Sequence, residues 1–384
     1  MLKGGLTVRT NCDLDAQRAA RRALREGLHD LTRRQGYPGP IRAVPESAID
    51  ETADALRQAR YFNPPDAGDP EKGVVRSASA GGAVVDVGGE TVTLPPEGVK
   101  WVSRIVRRGK PSKLGPFSKV SDVVAPGDVV LVERASAGAK TCSLVPHPAS
   151  QAAIVVMSPH TREVSVIVGG YDFEESEFNR AVQAHRQPGS SFKPIVYSAA
   201  LDAGMTPATH IMDTALVFAD GWRPRNYSGK FSGEMTLRQA LTKSVNTVTV
   251  RVAQAIGPDY IERFAKRLGL HSLAGSDLSM ALGSYEVIPV ELINAYAVFA
   301  SGGRLAAPIY VRQVTDRNGD VLEENVLSPL VEQAPPLTGV PDLTERRKRA
   351  GFLEGDPDVL FPEPEPGQKE FLDDFQLAMR IEEL

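Results

Sequence analysis

Apolar and small positions recur every three to four residues from Asp13 to about Arg34, through Ala16, Ala19, Ala20, Ala23, Leu24, Leu28 and Leu31. That spacing predicts an amphipathic helix. Cys12, just before it, is expected to be a buried small hydrophobe rather than a reactive thiol, since no base is arranged around it. From about Gly73 to Glu133 the period shortens. The runs AVVDV, ETVTL and DVVLVER are separated by Gly, Pro, Ser and Lys, and predict short strands of a small β-barrel of oligonucleotide/oligosaccharide-binding (OB) type. The basic run with Arg104, Arg107, Arg108, Lys110 and Lys113 reads as a solvated strand-and-loop face, with a polyanion or acidic-glycan contact as the alternative.

Further on, Ala152–Met157 and Glu163–Val168 flank a turn at Ser158–Arg162 and predict a hairpin. Helices then dominate. Thr236 and Gln239 form a capping box, Pro258 opens and Gly269 stops one helix, and Pro289 to Gly302 repeats that grammar. The stretch IYVRQVTDRNGDVLEE returns to strand around an Asn318-Gly319 turn. Strands, helices and strands again imply an α+β sheet covered by helices. Beyond about Asn325 prolines break the pattern, and from Pro335 onward 12 acidic residues outnumber 6 basic ones, which predicts a loosely ordered acidic tail.

Composition narrows the picture only a little. The 384 residues are 42% hydrophobic and 24% charged, ordinary values that exclude a fully disordered chain. With 44 Lys+Arg against 48 Asp+Glu the net charge is −4, which argues against a nucleic-acid binder. Two cysteines make no disulfide framework or zinc spacing, and the six histidines show no metal-ligand spacing. No apolar stretch is long enough to cross a bilayer and no signal segment is evident.

The candidate chemistry lies in RQPGSSFKPIVYSAALDAG. Pro194 fits a helix only in its first turn, so the helix should begin at or just before Ser190. This places the Ser190 hydroxyl at the positive end of the helix and Lys193 one turn on, where a neutral amine could take the hydroxyl proton. Bringing a lysine from about 10.4 to near 7.5 costs about 4 kcal/mol, to be supplied by burial and a second cation. A lone Ser-x-x-Lys also arises by chance, and a capping serine followed by a solvated lysine accounts for it. Ser191, with Pro194 at i+3, has no base. In LTKSVNTVTV, Ser244 and Asn246 could present a hydroxyl and an amide to a cleft, or simply terminate a helix.

Taken together, in this order and 54 residues apart, the two motifs resemble those of the transpeptidase half of a class A penicillin-binding protein of the 1A type. IVGGYDFEESEFNRA, RQPGSSFKPIVYSAAL, WRPRNYSGKFSGEMTLRQALTKSVNTVTV and ALGSYEVIPVELINAYAVFASGG resemble that family's segments, and Gly73–Glu133 resembles its OB-like insert. The resemblance, over roughly residues 5 to 326, implies a linker region with one helix (1–65), an OB-like barrel (66–145), a penicillin-binding transpeptidase domain (146–328) and the acidic tail (329–384).

It further implies a D-Ala-D-Ala transpeptidase that cross-links peptidoglycan. Ser190 would be the acylated nucleophile, Lys193 its base, and Ser244 and Asn246 the second motif, with no metal or cofactor implied. Tyr227 and Trp222 would be candidates for lining the substrate cleft, although Trp222 also suits packing. Stem peptides and β-lactams are the implied partners, with other cell-wall synthesis proteins through the OB-like domain, at the outer face of the cytoplasmic membrane or periplasm. The family's glycosyltransferase domain, membrane anchor and third motif (Lys-Thr/Ser-Gly) are not found. Lys140-Thr141 is followed by Cys142 and lies upstream of the hairpin. The expectation is therefore a fragment incomplete at its C-terminal strands. The alternatives are a degenerate peptidoglycan-binding scaffold module and a serine β-lactamase or β-lactam sensor, which the barrel and linker disfavour.

Overall fold

The computed structural model describes residues 5–62, 69–106, 112–136 and 138–326, with Gly339 and Leu343. Arg107, Arg108 and Lys110 of the basic run, and the acidic tail apart from those two residues, lie outside the described residues. The chain divides into two compact units. One comprises Arg18–Ala153 and Gly170–Glu175, and the other comprises the residues up to Gln17, Ile154–Gly169 and the chain from Ser176.

In the first unit six antiparallel strands form one sheet. Its order is Arg42–Ala43, Asp128–Arg134, Glu71–Ser79, Gly82–Asp86 and Thr91–Leu94, with Cys142–Val145 also paired to Asp128–Arg134. Thr91–Leu94 alternates exposed and buried, as a strand with one dry face must, whereas Asp128–Val132 is buried throughout. Val75, Val85, Leu94, Val130, Val132, Cys142 and Leu144 form its core. The sheet is OB-like and curls back on itself, its two ends meeting in the single bridge Thr93–Thr141, so it is not a closed barrel. Trp101 donates its indole N–H to the Leu144 carbonyl (2.8 Å).

Helix α1 (Leu14–Gln35) forms where its periodicity places it, capped by Asp13, whose Oδ1 accepts the Asp15 and Ala16 N–H groups (3.0 Å each). Its buried residues are Leu24 and Leu28, together with Arg25, His29 and Thr32, whereas Ala19 and Ala23 are exposed. The polar residues are buried because each has a partner. The Arg25 guanidinium donates to the Tyr171 carbonyl and pairs with Asp69 (2.5 Å), and His29 Nε2 meets the Tyr171 hydroxyl at 2.9 Å. Burial first, and then Arg33 and Arg25, hold the His29 pKa down at about 4. Helix α2 (Ile49–Phe62), which the sequence reading left unassigned, packs Ile49, Ala53 and Leu56 on Val74 and Val129. Cys12 corrects an expectation. It is exposed on the link between strand Thr7–Thr10 and α1, where its own N–H reaches back to Thr10 Oγ1; Cys142 is the buried thiol.

The second unit holds the expected hairpin, Ile154–Met157 with Val164–Val168. Its turn ends at Arg162, a non-glycine residue at φ +59°, whose side chain is 1% exposed. The Arg162 guanidinium donates to the carbonyls of Pro159, Ala297 and Arg304 and to Ser301 Oγ, capping the C-terminal end of the helix that closes on Ala300. The Gln17 side chain bridges both the N–H and the C=O of Ile167 and so blunts that strand's edge (3.0 and 2.9 Å). Strands Thr7–Thr10, Val311–Thr315 and Val321–Glu324 make a separate sheet, and His210–Asp213 pairs with Gly233–Thr236.

Helices α3 (Lys193–Asp202), α4 (Leu237–Thr242), α5 (Asn246–Ile256), α6 (Pro258–Arg267) and α7 (Pro289–Ala300) pack around Phe192, Ile195, Val248, Val252, Ile261 and Phe264. The Thr236–Gln239 capping box opens α4 as its sequence predicts.

Candidate active site

Ser190 lies in a single 3-10 turn, Gly189–Phe192, that runs directly into α3, with Pro194 in the first helical turn. The turn is held from below mainly by backbone, with one side-chain bond from Gln187 Nε2 to the Ser284 carbonyl (2.8 Å). Arg186 and Val287 exchange N–H···O bonds (3.0 and 2.9 Å), and the Gly189 N–H donates to the Gly283 carbonyl (3.1 Å). Gly189 and Gly283 both have positive φ (+56° and +67°), and a Cβ on Gly283 would run into the Gly189 backbone. From the other side Tyr296 donates its hydroxyl to the Ser191 carbonyl (2.8 Å). Ser191 spends its own hydroxyl on Pro188 O (2.6 Å). Ser190 is exposed, and among the described residues neither its hydroxyl nor its N–H has a partner.

Lys193, three residues on, is buried at 1% exposure. Its ammonium donates to Ser244 O (2.6 Å), Asn246 Oδ1 (2.7 Å) and Ser244 Oγ (3.0 Å), one acceptor for each of its three hydrogens. Burial lowers its pKa from 10.5 to about 8. The shift agrees in direction with the sequence estimate. Desolvation supplies it, however, and no second cation takes part.

The second motif is delivered by the end of α4. Val245 N–H reaches Ala240 O (2.9 Å) and Ser244 N–H reaches Leu241 O (3.0 Å), the paired bonds of a Schellman cap. That cap needs a left-handed residue, and serine fills it at φ +54° where glycine would be unstrained. The conformation aims both the carbonyl and the hydroxyl of Ser244 at Lys193.

Sequence reasoning thus named four catalytic residues; the structure joins three of them, Lys193, Ser244 and Asn246, through hydrogen bonds, while Ser190 lies three residues before Lys193 and its hydroxyl bonds to none of them. The two cleft candidates lie apart from these contacts. Trp222 is half-buried and stacked on Phe218 (5.1 Å between ring centroids) against the core, and Tyr227 is fully exposed.

The residue beside Tyr227 is the one the sequence reading missed. Asn226 Oδ1 accepts the N–H groups of Asn246 (3.0 Å) and Thr247 (3.2 Å), and the carbonyl of Arg225 accepts Asn246 Nδ2 (2.8 Å). Behind it, buried Asp213 accepts from Asn226 Nδ2 (2.9 Å), Thr247 Oγ1 (2.5 Å) and Ser232 N–H (2.7 Å). The one available signal was the uncapped start of α5, since Val245 offers no side-chain oxygen. The same loop exposes Arg223, Arg225 and Lys230 against a single acid, Asp220. Among the described residues no cluster of three or more His, Cys, Asp or Glu could hold a metal ion.

An exposed hydroxyl at a helix mouth and, three residues on, a buried amine of lowered pKa are the parts that nucleophilic acyl transfer requires. Comparison with known proteins agrees. Residues 152–339 match the penicillin-binding protein transpeptidase domain, and residues 37–149 match the penicillin-binding protein OB-like domain. Penicillin-binding protein 1A of Pseudomonas aeruginosa is 36% identical over 83% of this chain and 38% of its own length, and that of Rickettsia typhi is 36% identical over 83% and 39%. The crystal structure of penicillin-binding protein 1A from Haemophilus influenzae superposes with a TM-score of 0.72 at 28% identity, over 84% of this chain and 46% of that one. The chain therefore spans about two fifths of the length of the relatives it matches.

Proposed function

Because the chain belongs to the 1A-type, class A penicillin-binding proteins through its OB-like and transpeptidase domains, we propose that it cross-links peptidoglycan by serine acyl transfer, with Ser190 as nucleophile and Lys193 as base. The observation that carries this reading is the hydrogen-bond inventory at Lys193. A neutral amine has two hydrogens and one lone pair. Ser244 O and Asn246 Oδ1 can only accept, so they claim both hydrogens. The lone pair is left for a hydroxyl proton, either that of Ser190 directly or that of Ser244 Oγ as a relay.

In the first half-reaction Ser190 Oγ attacks the carbonyl of the penultimate D-Ala of a stem peptide, and its proton passes to Lys193. The free Ser190 N–H donates to the developing oxyanion. Collapse breaks the peptide bond, Lys193 returns the proton to the departing D-Ala amine through Ser244, and an ester to Ser190 remains. An amine from a neighbouring stem peptide then attacks the ester and releases Ser190, forming the cross-link. A β-lactam follows the first half only, since its leaving nitrogen stays tethered. The reaction takes place at the outer face of the cytoplasmic membrane. None of the described helices is long and apolar enough to cross it.

The triplet Lys-Thr/Ser-Gly does not occur in the 384 residues. One oxyanion donor more or fewer changes the rate of acyl transfer about 10²- to 10³-fold, so the rate of Ser190 acylation reports how complete the oxyanion hole is. The alternative reading is reversible peptidoglycan binding without acylation. Intact-mass measurement after prolonged incubation with penicillin decides between them. The enzyme reading expects one adduct that disappears in Ser190→Ala. No adduct on the wild-type chain, with retention on peptidoglycan, establishes the binding module instead.

A further inference from the structure

We infer that Asn226, backed by the buried carboxylate of Asp213, is a positioning residue that acts through Asn246 to decide which hydrogens of Lys193 are committed. The inference rests on the serine–lysine reading above and adds to it a part that neither motif contains.

Helix α5 is eleven residues long and begins at the second motif, yet has no cap of its own. Asn226, twenty positions upstream, supplies the cap from outside by accepting the first two N–H groups of the helix. It can do so only because its amide nitrogen is anchored on Asp213 and on the Lys230 carbonyl (2.9 Å each). Asp213 in turn is fixed by Thr247 Oγ1, so the anchor closes back onto the first turn of α5.

The consequence reaches the amine in two steps. Fixing Asn226 fixes the carbonyl of Arg225, its chain neighbour, which can only accept and so holds the Asn246 NH₂ group. With its nitrogen held there, Asn246 must show oxygen to Lys193. If the amide were released and turned, it would present hydrogens to the amine, competing with the ammonium and misdirecting the lone pair. The groups facing Lys193 are neutral. They are the backbone and hydroxyl of Ser244 and the amide of Asn246, and no charged group among the described residues shifts it.

The test reads Lys193 itself, with no acyl donor present. In full-length protein labelled with ¹³C-lysine, the ¹³Cε resonance that is lost in Lys193→Arg is followed against pH. Asn226→Ala should lower its midpoint by about one unit, because the ammonium loses an acceptor, and should slow Ser190 labelling at least tenfold where labelling is seen. Asp213→Ala, which leaves Asn226 in place but frees its amide, should move the midpoint in the same direction, and Asp213 itself makes no direct contribution to the Lys193 pKa. A folded Asn226→Ala protein with an unmoved midpoint overturns the inference. Should that variant not fold, a folded Asp213→Ala protein with an unmoved midpoint does so instead. Failure to acylate Ser190 is a separate result and bears on the proposed function alone.

Discussion

Acylation of Ser190 should speed up about tenfold between pH 7 and pH 9. Lys193 serves as base only when neutral, and burial holds its pKa at about 8 rather than 10.5. About one molecule in ten is then competent at pH 7 and nine in ten at pH 9, whereas an unshifted lysine would be almost wholly protonated at both. The same burial has a stability cost. A depression from 10.5 to about 8 corresponds to about 3 kcal/mol carried by the native state while the amine is charged. The folded pKa lies below the unfolded one, so between pH 8 and 10.5 the unfolded chain binds more protons and stability rises with pH. Below pH 8 the full penalty is present, and above 10.5 it is gone. The assay is the initial rate of labelling by a fluorescent penicillin from pH 6.5 to 9.5, with thermal melts of wild type and Lys193→Met over pH 7 to 10.5. The Met variant removes this titration, so the difference between the two proteins isolates it. A flat rate profile, or a limb centred near 10, would refute the reasoning.

Ser244→Gly should relieve the left-handed strain at φ +54° and leave the protein as stable or up to about 1 kcal/mol more so, while labelling falls about 100-fold with loss of the hydroxyl; melting and labelling measured together check it. Gly283→Ala should cost about 2 kcal/mol or more and tilt the nucleophile turn, seen as a lower melting temperature with slower labelling. Arg162→Ala uncaps α7 and leaves buried carbonyls unpaired, for a loss of about 3 kcal/mol in chemical denaturation. Ser190→Ala should melt like wild type, because the exposed hydroxyl has no partner among the described residues.

Much of the site was legible because its parts are local. The i, i+3 spacing of Ser190 and Lys193 places a hydroxyl and an amine on one helical turn whatever else the chain does. Pro194 marks where that turn must begin, and the Thr236–Gln239 box marks where α4 starts. Tyr227 was a reasonable guess from composition, but the residue that matters on that loop is its neighbour Asn226. A short amide two thirds of the way along an irregular segment carries no periodicity to betray its partner.

What the amino-acid order determined by itself was therefore the elements whose bonds close within a few residues: α1 with its Asp13 cap, the Ile154–Val168 hairpin, the proline-led helices, and the nucleophile's relation to its lysine. Only the tertiary structure decided that Lys193 would be dry, and that its three hydrogens would end on residues 51 and 53 positions away. The same holds for Arg25, His29 and Arg162, polar side chains buried through partners more than 100 residues distant. A buried donor must be satisfied, but the pattern of hydrophobic and polar positions states only that need. The address of the acceptor is set when the chain packs.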